Sequence, residues 1–123
     1  MESFGSGARC LNAILTLHKR FLCVRSVDVA HYLKCSKPTV SAMVSRLISE
    51  GLLTKERDSN LQLTEQGLEA MKECQERSLY FQSLLLSAGL DPESAEREAF
   101  SMAQAVRPET YDAFRSLLEK HIP

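Results

Sequence analysis

Apolar residues recur at helical spacing along most of the chain, and the breaks between them divide it into elements. From Ala8 to about Leu22, the residues Leu11, Ile14, Leu15, Leu17 and Leu22 predict a first helix behind a loose Gly/Ser tail over 1–7. Cys23-Val24-Arg25 reads as a short extended link. A short helix follows from Ser26 or Val27 to about Leu33, and Lys34-Cys35 forms a tight turn. Ser36 is a good N-cap, and Pro38 stands in a first turn where its missing N–H costs nothing. The third helix, Lys37 to Glu50, is expected to turn Val40, Met43, Val44, Leu47 and Ile48 inward and to stop at Gly51.

The rhythm then changes to strand-like runs. Leu52–Arg57 and Leu61–Thr64 flank Asp58-Ser59-Asn60, which predicts a β-hairpin. Thr64 caps a long helix to about Ser87, with Leu68, Met71, Cys74, Leu79, Phe81, Leu84 and Leu85 in helical register. Gly89 breaks it. Asp91-Pro92 opens a helix to Val106, and Pro108 opens a last one to about His121. The fold expected is mainly α: a winged helix-turn-helix over 1–63, then an all-helical lobe over 64–123.

In such a unit the third helix lies in the DNA major groove and the hairpin touches the flanking backbone. The outward face of this helix offers Ser36, Lys37, Thr39, Ser41, Ser45 and Arg46. Short hydroxyls permit close approach, and Lys and Arg neutralise phosphates. Lys55 and Arg57 lie on the wing. Charge agrees with this placement: residues 1–60 carry a net +4 and residues 61–123 a net −5 within a total of −1. A basic front half suits a polyanion. A winged helix can also serve as a protein-interaction module, so DNA and protein remain competing partners at this level.

Other chemistry is sparse. No apolar run approaches the roughly 18 residues that span a bilayer. Met1-Glu2-Ser3-Phe4-Gly5 lacks a basic region followed by an apolar one, so a cytoplasmic address without membrane association is expected. Cys10, Cys23, Cys35 and Cys74 form no C-x-x-C pair, and four reduced, mostly buried thiols are expected, with Cys10 and Cys74 in the core. His18 reads as a surface or half-buried side chain, His31 as a scaffold or backbone-contact residue, and His121 as terminal. Glu93, Glu96 and Glu98 read as a solvated helix face. No phosphate loop or nucleophile–base pair points to an enzyme.

The run Cys35-Ser36-Lys37-Pro38-Thr39-Val40-Ser41, then Arg46-Leu47, Gly51-Leu52-Leu53 and Leu61-Gln62-Leu63-Thr64-Glu65-Gln66-Gly67, resembles the diphtheria-toxin-repressor and manganese-transport-regulator family. Gly89-Leu90-Asp91 and the helix after it continue the likeness. The resemblance implies a homodimeric repressor on a palindromic operator in double-stranded DNA. It implies that Ser36, Pro38 and Thr39 lie at the DNA, with Ser41 and Arg46 near phosphates. Where the family often has a longer polar side chain, this sequence has Ala42. The larger members' SH3-like domain is not expected in a chain of 123 residues.

The resemblance also implies activation by Mn²⁺ or Fe²⁺. Its ligand positions fall here at Arg9 and Asn12 on the first helix, Ser78 on the long helix, and Phe100, Ala103 and Gln104 on the next. Such ions need converging carboxylate oxygens and imidazole nitrogens. The usual metal site is therefore expected to be missing, with no metal or other cofactor in its place. Arg9 has two readings: a guanidinium bonded to Glu98, Gln104 or a nearby carbonyl in place of the metal, or a side chain pointing to solvent.

The rear half carries more apolar residues than a thin lobe can hide, among them Leu79, Phe81, Leu84, Leu85, Leu86, Phe100, Met102, Phe114, Leu117 and Leu118. A two-fold dimer through them is the expected closure.

Overall fold

The computed structural model describes residues 6–119, and the side chains of residues 7–119. It contains α1 (Ser6–His18), α2 (Ser26–Leu33), α3 (Lys37–Ser49), β1 (Leu53–Lys55), a 3₁₀ turn (Arg57–Ser59), β2 (Leu61–Leu63), α4 (Glu65–Ser87), α5 (Pro92–Ala105) and α6 (Pro108–Glu119). The fold is mainly α, with one antiparallel hairpin in which Leu53 faces Leu63 and Lys55 faces Leu61. The chain forms two compact units, Ser6–Lys72 and residues 73–119.

In the first unit, α1, α2, α3 and the hairpin enclose one core. Leu11, Ile14, Val24, Val29, Val40, Leu47, Leu53 and Leu61 are all essentially buried. Each such side chain contributes about 1.5–3 kcal/mol relative to exposure. Residues 23–25, expected as an extended link, brace the wing. The Leu61 N–H donates to the Val24 carbonyl at 2.8 Å, and the Val24 N–H donates to Asn60 Oδ1 at 2.8 Å. His18 Nε2 donates to the Leu61 carbonyl at 2.7 Å, so this half-buried histidine ties α1 to β2.

The expected third helix is present. Ser36 caps it by accepting the Thr39 N–H at 3.3 Å, and Pro38 stands in its first turn. Gly51 ends it at φ +80°, where the Leu52 N–H reaches back to the Leu47 carbonyl at 2.9 Å. A glycine adopts that backbone without penalty. The Thr64-Glu65-Gln66-Gly67 run fastens the end of the wing to this corner. Thr64 Oγ1 donates to the Gly51 carbonyl at 2.6 Å and accepts the Gly67 N–H at 3.0 Å. A Cβ on Gly67 would stand 2.2 Å from the Leu52 carbonyl oxygen, so only glycine fits there.

In the second unit, Asp91 caps α5 by accepting the Ser94 N–H at 3.0 Å, which holds its carboxyl below the usual range. α5 buries Ala95, Ala99 and Ala103. Phe81 is buried, with Tyr80, Tyr111 and Phe114 in edge-on contact around it. α6 is amphipathic, yet none of its residues is buried.

Several expectations need correction. α1 ends at His18, because Lys19 and Arg20 already turn and leave Phe21 and Leu22 exposed. The helix begins at Ser6, inside the expected tail, and residues 1–5 lie outside the described residues. Ile48 and Leu68 are exposed, and so is Leu79: helical register assigns a face, not a neighbour to cover it. Of the cysteines, Cys10 and Cys74 are buried as expected, while Cys35 is half-buried and Cys23 exposed. Residues 120 and 121 of the expected last helix lie outside the described residues, His121 among them.

Candidate nucleic-acid interface

The site begins with α3. Its inward side is fixed by Val40, Val44 and Leu47, all buried, which turns the remaining positions outward. Ser36, Lys37, Pro38, Thr39, Ser41, Ala42, Ser45 and Arg46 are all exposed. The face combines hydroxyls, two cations and the positive N-terminal end of a 13-residue helix. No acidic residue lies in its first turn. Ser36 and Thr39 are not independent: their hydroxyl oxygens lie 2.7 Å apart. The Ser36 and Thr39 hydroxyls therefore set the start of the helix, and Lys37, Ser41, Ser45 and Arg46 offer the freer surface. Ala42 contributes only a methyl.

The wing supplies the second part. Lys55 and Arg57 are both exposed, Lys55 at the end of β1 and Arg57 at the start of the 3₁₀ turn. Asp58 and Ser59 make that turn in the left-handed region, at φ 58° and 60°. Short polar side chains tolerate that backbone better than most. Arg25 holds the turn by donating through Nε to the Asp58 carbonyl at 2.7 Å. Its own N–H is fixed by Asp28, whose carboxylate accepts it at 2.8 Å. The roles of Arg25, Asn60 and His18 are not visible in the sequence, because their partners lie 33, 36 and 43 residues away.

The six positions implied for a metal do not suit one. Arg9 is exposed; Asn12, Ser78, Phe100 and Gln104 are half-buried; Ala103 is buried. They offer an amide on Asn12, a hydroxyl on Ser78 and an amide on Gln104, with no carboxylate, imidazole or thiol. Gln104 Nε2 donates to the Phe100 carbonyl of its own helix at 3.2 Å. Arg77 Nε donates to the Ala103 carbonyl at 3.4 Å, so a cation already stands beside one of these positions. Among the described residues, no group of three or more His, Cys, Asp or Glu is placed to hold a metal ion. None of the described helices is long and apolar enough to cross a membrane.

A winged helix with this exposed face defines the class. Residues 9–61 match the family model described as iron dependent repressor, N-terminal DNA binding domain. Transcriptional regulator MntR of Escherichia coli is 39% identical over 97 residues, covering 79% of this chain and 63% of that protein. The chain thus spans less than two thirds of the length of that relative. The manganese regulator SloR superposes with a TM-score of 0.75 at 20% identity, over 97% of this chain and 55% of that one. A hypothetical protein of Sulfolobus solfataricus gives 0.69 at 22% identity, over 91% of this chain and 88% of its own. Residues 9–61 thus belong to the DNA-binding domain family of the iron-dependent repressors, and over 97 residues the chain is similar to the MntR regulators.

Proposed function

We propose that the protein is a homodimeric transcriptional regulator that binds a palindromic operator in double-stranded DNA, acts as a repressor in the cytoplasm and carries out no catalysis. The observation that carries this reading is the exposed, cationic face of α3 within a segment that matches a DNA-binding domain. In this reading Lys37, Arg46, Lys55 and Arg57 neutralise phosphates, Thr39, Ser41 and Ser45 approach base edges or backbone, and the Ser36 cap aims the helix. Pro38 shapes the first turn, and the Ala42 methyl sits against the groove. Two such helices in a two-fold dimer would meet major grooves about 34 Å apart, or a multiple of that. Occupancy of a promoter then blocks polymerase.

The same reading makes operator binding independent of Mn²⁺ and Fe²⁺ at the six substituted positions. Fluorescence anisotropy with promoter DNA from the protein's own operon tests both parts. Affinity is expected to be equal in EDTA and in Mn²⁺. Lys37→Ala and Arg46→Ala should each weaken binding and lower the salt slope by about 0.9 for each phosphate no longer neutralised. Wild-type affinity and slope in both variants would refute the docking, and a requirement for Mn²⁺ would refute the metal-independence.

A further inference from the structure

Where α2 ends and α3 begins, the surface holds an open cleft of about 410 Å³ lined by Val27, Ala30, His31, Lys34, Cys35 and Lys37. Two lysines and a histidine are among the residues that line it, and no Asp or Glu is. Lys34 is the residue that closes α2, at φ 58° and ψ 42°. That conformation is usual for glycine or asparagine and is disfavoured for a lysine. The turn is nevertheless well made: the Cys35 N–H donates to the Ala30 carbonyl at 3.0 Å. A strained backbone here puts a long cation beside Lys37 at the start of α3.

We propose that this cleft seats a phosphodiester of the DNA strand that runs past the start of α3, with Lys34 and His31 as its donors beside Lys37. The inference rests on the DNA-binding reading and deepens it by adding a backbone contact outside the recognition face. In a helix-turn-helix the first helix crosses the phosphate backbone while the second enters the groove. The cleft lies where those two helices meet, so a strand crossing α2 toward the start of α3 would come within reach of its lysines. The cleft is open rather than closed over, which suits a continuous strand better than a free phosphate ion.

Two measurements test it. The variants Lys34→Asn and His31→Gln leave Lys37 and the recognition face intact, and asparagine accepts the left-handed backbone. Each is expected to unfold at or near the wild-type temperature. Lys34→Asn should weaken operator binding about three- to tenfold at moderate salt and lower the salt slope by about 0.9. His31→Gln should weaken it less. In the unmutated protein, bound operator should slow alkylation of Cys35 by iodoacetamide, followed by mass spectrometry, while millimolar inorganic phosphate should not. An unchanged salt slope in Lys34→Asn, with wild-type DNA binding intact, overturns the cleft assignment alone. Protection of Cys35 by inorganic phosphate to the same degree as by DNA also overturns it, in favour of a free anion. A wild-type protein that ignores DNA in dilute buffer overturns the functional reading and this proposal together.

Discussion

Single residues decide two features of the first unit. Gly67 is the third residue of α4, where alanine would ordinarily be the better helix former. Its missing Cβ leaves room for the Leu52 carbonyl oxygen, which would otherwise be met at 2.2 Å. The obstacle is backbone, so it cannot rotate away. Gly67→Ala is therefore expected to destabilise the protein by about 1–3 kcal/mol, the range for overpacking, and urea denaturation would measure it. An unchanged or raised midpoint would contradict the clash. Cys10 is the second case. Burial pushes its thiol from 9.0 up to about 11, partly countered by the Arg46 charge. Below pH 9 the thiol is protonated in both folded and unfolded chains and contributes no pH dependence. Above it the unfolded chain loses the proton first, so stability should fall between pH 9 and about 11. Cys10→Ala lowers stability at neutral pH by leaving a cavity, yet should flatten the decline over that window. An equally steep decline in the variant would assign it to other groups.

At the scale of elements, legibility in the sequence follows the range of the interactions. The α3 cap, the proline after it, the Gly51 stop and the Thr64 cap all act within a few residues, and each is readable from spacing alone. The exposed face of α3 is readable for the same reason. Ile48, Leu68 and Leu79 mislead because helical register cannot say whether a neighbouring element arrives to cover a face. The wing is legible as a hairpin, but its support is not. Val24 and Asn60 are 36 residues apart, and only the folded chain joins them. The Val24 side chain is fully buried, and its N–H has Asn60 Oδ1 as acceptor. Asn60→Ala leaves that donor without a partner, at a cost of about 1–3 kcal/mol. Amide exchange at Val24 and Leu61 should accelerate beyond what the global loss of stability explains, because the wing loosens first. Uniform acceleration across the first unit would show that Asn60 supports the whole core instead.

Across the whole molecule, the largest exposed apolar side chains concentrate in α4 and α6 of residues 73–119 and in the stretch after α1. Leu79 is 64% exposed, Leu117 54%, Phe114 45% and Leu86 43%. Isolated exposed leucines are ordinary, but an amphipathic helix such as α6 with no buried residue is not an economical element for a monomer. An acidic rear half disfavours DNA as the cover, and a second copy, as the proposed function requires, is the cover to test. If a second copy is the cover, folding and association are coupled, and the melting temperature must rise with protein concentration. Leu117→Glu is the discriminating variant, because its side chain is more than half exposed and its removal opens no core cavity. A monomeric fold would tolerate that change within about 0.5 kcal/mol, as most surface substitutions are tolerated. A dimer would have to bury a carboxylate. Sedimentation equilibrium is therefore expected to show a wild-type dimer at micromolar concentration and a Leu117→Glu monomer whose melting temperature no longer depends on concentration. Operator affinity should fall in the same variant although α3 and the wing are untouched, because the two half-sites would then be bound separately rather than by one linked pair. A wild-type protein that sediments as a monomer, with a concentration-independent transition, would leave α6 as a solvent-facing helix and remove the two-fold geometry on which the palindromic operator rests.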